Sequence, residues 1–139
     1  MDVNTTLLIF IDKLLNYKNK VIGIVLLNQK IISGIGNYLR AESLWLAKIN
    51  PFKLIKFFTK KEYIKLFNSL KIITWGLYDR KKGIKLNILK KYDKISYDYN
   101  RDFFIYRQDK DIYNNNIIKE ELYEGSQKRF IYWCPKIQH

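Results

Sequence analysis

The residues best placed to do chemistry stand four in a row, Gly34-Ile35-Gly36-Asn37. They separate an apolar stretch, Leu26-Leu27-Asn28-Gln29-Lys30, from a second amphipathic stretch beginning at Tyr38. Glycine admits positive φ and lets a ligand or another backbone come within van der Waals contact. Asn37 is expected to cap a helix that starts at about Tyr38. The first amides of such a helix point outward with partial positive charge. Backbone N–H groups and an Asn amide converging on one point suit a phosphate. The same pattern also serves a plain helix connection, with glycine allowing close packing and Asn37 acting only as a cap. A dinucleotide-binding loop is excluded, because Leu39 stands where its third glycine belongs and the element before the turn reads as helix.

Composition says what kind of partner such a clamp would meet. The chain has 139 residues, 47% of them apolar, enough for a real core in one domain or two small ones. Lys and Arg number 26 against 13 acidic residues, a net charge of +13. That excess points to a polyanion, nucleic acid ahead of acidic lipid. An AT-rich coding genome, which raises Lys, Asn, Ile and Tyr together, is the bland alternative for the charge. Cys134 is the single cysteine, which precludes an intrachain disulfide and fits a reducing compartment. The longest apolar run, Val21 to Leu27, falls far short of the roughly 20 residues of a membrane helix. Asp2 and Asp12 bracket the first apolar stretch and no basic segment precedes it, so no signal peptide is expected. The expectation is a soluble, intracellular protein with no membrane partner.

The elements that must position the turn follow from periodicity. Leu7, Leu8, Ile11, Leu14 and Leu15 recur at helical spacing, with a cap near Asn4 or Thr5. A second helix is predicted over Lys20 to Ile32, with Ile22, Val25, Leu26 and Gln29 on one face, and a third from about Tyr38 to Lys48, closed by Pro51. A fourth opens on the capping box Thr59/Glu62 and carries Tyr63, Leu66, Phe67, Leu70 and Ile73 on its apolar side to about Tyr78. Composition shifts at Arg80-Lys81-Lys82-Gly83, and the Lys/Asn/Tyr/Asp-rich stretch beyond reads as a basic linker. Two strand-like pieces follow, Phe103 to Tyr106 and Arg129 to Trp133. Ile117 to Tyr123 is expected to pair with the second of them across a Glu124–Lys128 turn. The fold class is therefore mainly α with a small C-terminal β-hairpin. It divides into a helical module (1–80), a linker (81–100) and a hairpin unit (101–139).

Leu26-Leu27-Asn28-Gln29, Gly34 to Glu42 and Ile49-Asn50-Pro51-Phe52 together resemble the helix–two-turn–helix of the formamidopyrimidine-DNA glycosylase / endonuclease VIII family, and most closely its endonuclease VIII-like branch. Separately, Phe103 to Tyr106 and Arg129 to Gln138 resemble the start and end of that family's zinc finger. The resemblance implies double-stranded DNA, damaged or abasic, as the partner in base excision repair. It gives Asn37 a phosphate beside the lesion. Arg129, at the tip of the finger hairpin, receives the damaged-site phosphate and a part in δ-elimination; a guanidinium suits this by holding phosphate oxygens bidentately. Gly36, Gln29, Lys30 and Lys128 complete the expected DNA-binding set.

Two departures qualify what the resemblance implies. The family's four zinc positions fall here on Tyr113, Asn116, Cys134 and Ile137. One thiol cannot supply the four N/S ligands of tetrahedral zinc, even with His139 added. A zincless finger is expected, without metal or other cofactor, held by packing of Tyr106, Phe130, Tyr132 and Trp133 around a buried Cys134. Catalysis in the family uses an N-terminal proline amine, an adjacent Glu and a Lys on a β-sandwich. Here the sequence begins Met1-Asp2-Val3, and Pro51 and Pro135 are its prolines. A Schiff-base nucleophile needs an activated amine, and none is evident, so the chain alone is expected to be inactive as a glycosylase/AP lyase. The leading expectation is the DNA-binding C-terminal portion of such an enzyme, truncated or completed by a separately encoded N-terminal catalytic domain. The alternatives are a stand-alone or relic nucleic-acid-binding module and an RNA-binding helix–two-turn–helix protein of the ribosomal type.

Overall fold

A computed structural model of the chain describes residues 7–28, 36–78 and 103–139. Its elements are helices α1 (Leu7–Leu15), α2 (Ile22–Val25), α3 (Asn37–Leu46) and α4 (Lys60–Tyr78), a 3-10 turn at Ile55–Phe57, and strands β1 (Ile118–Glu124) and β2 (Gln127–Trp133). The chain is thus mainly helical and ends in a two-stranded antiparallel hairpin, as its periodicity predicts. The expected linker, 81–100, lies outside the described residues, as do Asn4 and Thr5.

Helices α1 and α4 pack as their apolar spacing requires. Phe10 and Leu14, one turn apart on α1, are buried, and the Phe10 ring lies 5.2 Å from Phe67 of α4. Helix α4 opens on the expected capping box. The Thr59 N–H donates to Glu62 Oε1 at 3.1 Å, and the Glu62 N–H donates to Thr59 Oγ1 at 3.2 Å. Each side chain thereby takes an amide that the helix leaves unpaired. Tyr63, Leu66, Phe67, Leu70 and Ile73 are all buried.

Helix α2 is shorter than expected. A bridge between Val21 and Leu54 holds its start extended, and the Ile22 and Gly23 N–H groups donate to the Lys53 and Pro51 carbonyls. Tertiary bonds to the Pro51 loop, rather than preceding helix, thus fix where α2 begins. It gives way to a turn at Leu26-Leu27, and residues 29–35 lie outside the described set. Ile22, Val25 and Leu26 are buried together, as the apolar face predicts. Gly23 is required by packing: an added Cβ would sit 2.9 Å from the Pro51 carbonyl oxygen and 3.1 Å from Leu122 of β1.

Helix α3 departs from expectation at both ends. Its N-cap is Gly36, with no side-chain cap, and Asn37 is its first residue. Asn37 does not cap because its Oδ1 accepts from Arg40 Nη2 at 3.2 Å. At the other end Lys48 adopts φ 60°, and the Lys48 and Ile49 N–H groups donate to the Trp45 and Leu44 carbonyls. This is a Schellman closure, and it stops the helix before Lys48.

The stretch Phe103 to Tyr106 is not a strand. The Phe104 and Ile105 N–H groups donate to Glu42 Oε1 and Oε2 at 2.6 and 2.9 Å, so one buried carboxylate takes the donors a neighbouring strand would have used. The hairpin forms with a tighter turn than predicted. Glu124 pairs with Gln127 across Gly125-Ser126, and Gly125 has φ +62°, as a two-residue turn with glycine first requires. Leu122, Ile131 and Trp133 share the buried face, and the Trp133 ring packs 5.8 Å from Phe52.

Candidate nucleic-acid interface

The start of α3 and the hairpin meet at one side chain that the sequence did not single out. Arg40 lies one turn beyond Asn37 and is only 1% exposed. Its Nη1 donates to the Gly23 carbonyl at 2.8 Å, and its Nη2 donates to Asn37 Oδ1 and, at 2.6 Å, to the Phe130 carbonyl of β2. One guanidinium thus joins α2, α3 and the hairpin. Burial lowers its pKa from the ordinary guanidinium value to about 10, helped by the charge of Arg129 and opposed by Tyr106. At neutral pH Arg40 remains charged.

Arg129 lies opposite Leu122, three pairs back from the Gly125-Ser126 turn rather than at its tip. Alternation puts it on the same hairpin face as Leu122 and Ile131, turned toward the helical module. Its Nε, like that of Arg40, is buried without a hydrogen-bond partner among the described residues. Buried donors of this kind are costly unless a ligand or water satisfies them.

The structure therefore brings together Gly36, Asn37 and the strand that carries Arg129. Lys128 falls on the opposite hairpin face, where its Nζ lies 2.8 Å from Glu121 and 5.3 Å from the Phe130 ring centroid. Gln29 and Lys30 lie outside the described residues. Asn37 is exposed and Gly36 half-buried. Gly36 has φ −96° and ψ −176°, which any residue adopts, and an added Cβ there would meet nothing within 4 Å. Its backbone angles do not require a glycine, and no described residue packs where a Cβ would sit, although glycine is a favoured N-cap.

Around the expected finger, a carboxylate organises the loop. Asp111 is 3% exposed. Its Oδ1 accepts from the Tyr113 and Asn115 N–H groups at 3.0 and 2.8 Å, and its Oδ2 accepts from Trp45 Nε1 at 3.3 Å. Cys134 is buried, as expected, and burial raises its thiol pKa, with hydrogen bonding to Asp111 adding to the shift against two backbone N–H groups. The Cys134 N–H donates to Gln138 Oε1 at 2.7 Å, and Gln138 Nε2 donates to the Ile49 carbonyl at 2.9 Å. Of the four aligned zinc positions, Tyr113 packs by its ring 6.2 Å from Trp45, Asn116 accepts from Lys110 Nζ, and Ile137 packs against the core. Of the aromatics expected to hold the finger, Tyr132 meets Tyr106 at 5.4 Å, whereas Phe130 is 42% exposed beneath Lys119 and Lys128. Among the described residues no group of three or more His, Cys, Asp or Glu side chains could hold a metal ion, and no helix is long and apolar enough to cross a membrane.

Arg40, Glu42, Asp111 and Gln138 escaped the sequence reading. The one visible signal was the presence of charged Arg40 and Glu42 among the apolar Leu39, Ala41 and Leu44 of an otherwise amphipathic helix.

The model of the formamidopyrimidine-DNA glycosylase H2TH domain matches residues 4–88. A formamidopyrimidine-DNA glycosylase of Prochlorococcus marinus (strain MIT 9215) is 29% identical over 132 residues, which are 94% of this chain and 44% of that protein. One from Corynebacterium diphtheriae is 54% identical over 39 residues, 28% of this chain and 13% of that protein. Among solved structures, a viral DNA glycosylase superposes with TM-score 0.72 at 26% identity, covering 92% of this chain and 43% of the other. A complex between Lactococcus lactis Fpg and DNA containing an abasic site gives TM-score 0.67 at 25% identity, covering 96% and 47%. The chain spans less than half the length of these glycosylases.

Proposed function

Because this chain belongs to the formamidopyrimidine-DNA glycosylase H2TH family, we propose that it binds damaged or abasic double-stranded DNA in base excision repair. In this reading it grips the phosphate backbone and another domain or chain supplies the nucleophile. The observation that carries the reading is the juxtaposition of the α3 start with the Arg129 strand, with nothing among the described residues filling the space beside Gly36. Open space over the glycine N-cap among the described residues, beside helix amides and an Asn carboxamide, leaves room for close approach of an external anion. Arg129, with its unsatisfied Nε, supplies a charged donor to the same anion. Phosphate contacts of this kind position a protein on a duplex without reading sequence, so binding is salt-sensitive and weakly sequence-selective.

The finer placement is the endonuclease VIII-like branch, with a zincless finger. The run Gly36-Asn37-Tyr38-Leu39-Arg40-Ala41-Glu42 favours that branch. For the finger, the four aligned positions offer one thiol, itself held protonated, and zinc needs about four N/S ligands. The donor set does not fit zinc, and the Asp111 and Gln138 networks occupy the structural role a metal would have.

Anisotropy titration of a duplex carrying an abasic-site analogue, from low to moderate salt, tests the proposal. Replacement of Arg129 by Ala is expected to weaken binding and lower the slope of log K against log salt by about 0.9, one phosphate contact. A wild-type chain that does not bind duplex, or a variant with unchanged slope, contradicts it.

A further inference from the structure

We propose that Arg40 is a positioning residue for the phosphate clamp: its guanidinium sets Asn37 and the Arg129 strand in one constellation, so that a DNA phosphate meets both. The inference rests on the DNA-binding reading above and assigns the residue that makes its site.

The three oxygens that Arg40 engages all belong to neutral groups: the Gly23 and Phe130 carbonyls and the Asn37 carboxamide. Buried charges are ordinarily paired with an opposite charge. Here the charge that Arg40 feels from Arg129 has the same sign. An anion held by Asn37 and Arg129 would offset that repulsion and offer an acceptor to the Arg129 Nε, which has none among the described residues. Tyr106 offsets part of this charge, and no carboxylate among the described residues pairs with Arg40.

The geometry also assigns directions. With Oδ1 held by Arg40, Asn37 keeps its Nδ2, a donor, for a ligand, which is the polarity a phosphate requires. The bond to the Phe130 carbonyl fixes β2 at the residue following Arg129. A planar guanidinium reaches three acceptors on three elements at once; an ammonium is a compact point charge that lacks this fork. A Lys at position 40 would therefore keep the charge and lose the constellation.

The test uses the full chain, with Arg40→Lys and Arg40→Gln, alone and combined with Arg129→Ala, and thermal melts to show that each is folded. Either change at position 40 is expected to weaken duplex binding about tenfold, and Arg129→Ala is expected to cost nothing further in those backgrounds. A full Arg129→Ala effect in the Arg40→Lys background overturns the inference while leaving DNA binding intact. If the wild-type chain fails to bind duplex, the functional reading itself fails. A second measurement on wild type alone needs neither DNA nor a folded variant: inorganic phosphate titrated against the arginine Nε–Hε resonances. Arg40 and Arg129 are expected to shift together. Movement of Arg129 alone, or of neither, overturns the proposal.

Discussion

Arg129 and Asn37 stand out in the sequence because each sits inside a contiguous motif, whereas Arg40 engages partners 17 and 90 positions away. No local spacing announces such a side chain. The same holds for Asp111, whose carboxylate gathers Tyr113, Asn115 and Trp45 from separate parts of the chain. The motif leads to the proposal of a finger without zinc, but it does not point to the Asp111 network. At this scale the account makes a paired prediction. A strong chelator is expected to leave the thermal melt unchanged. Asp111→Ala is expected to destabilise by about 2–4 kcal/mol, since it strands several buried donors. A chelator-sensitive melt would contradict the zincless reading, and a melt indifferent to Asp111→Ala would contradict the role given to the carboxylate.

Elements whose ends are set by their own side chains were read correctly, and those set by tertiary contacts were not. Helix α4 starts where Thr59 and Glu62 say it should, because the capping box is local. Helix α2 starts where the Pro51 loop takes its amides, and Phe103–Tyr106 turns instead of extending because Glu42 claims its donors. The hairpin partners were legible from aromatic and β-branched content, but the turn was set by Gly125 rather than by the whole Glu124–Lys128 stretch. The capping box has a pH signature. Burial pushes the Glu62 carboxyl up, but Lys53 at 2.6 Å and the Thr59 donors outweigh it, and the net shift is downward. A lowered folded-state pKa means stabilisation that is present above the ordinary carboxylate value and lost as pH falls through the folded one. Glu62→Ala is therefore expected to cost about 1 kcal/mol near neutrality. The gap from wild type should close on acidification, as followed by melts across the acidic range. A gap independent of pH would contradict the assignment.

Taken whole, the described residues form a helical module packed against a C-terminal hairpin unit, and Gly23 stands at two of the contacts between them. Gly23 has no side chain where Pro51 and Leu122 press against α2, and its carbonyl accepts from Arg40. The join brings together two motifs that lie far apart in the chain, and the chain as a whole carries a net charge of +13. The motifs and their order could be read in the sequence; only the fold shows that the α3 start and the Arg129 strand share a buried guanidinium. Gly36→Ala tests most directly whether this surface exists to receive a phosphate. An added methyl meets nothing among the described residues and the backbone angles tolerate it, but alanine is a poorer N-cap than glycine, so stability is expected to fall by no more than about 1 kcal/mol. Affinity for abasic-site duplex, measured on the same preparation, is expected to fall about tenfold or more. Unchanged affinity in a variant that melts as wild type does would contradict the claim that the turn is a phosphate clamp.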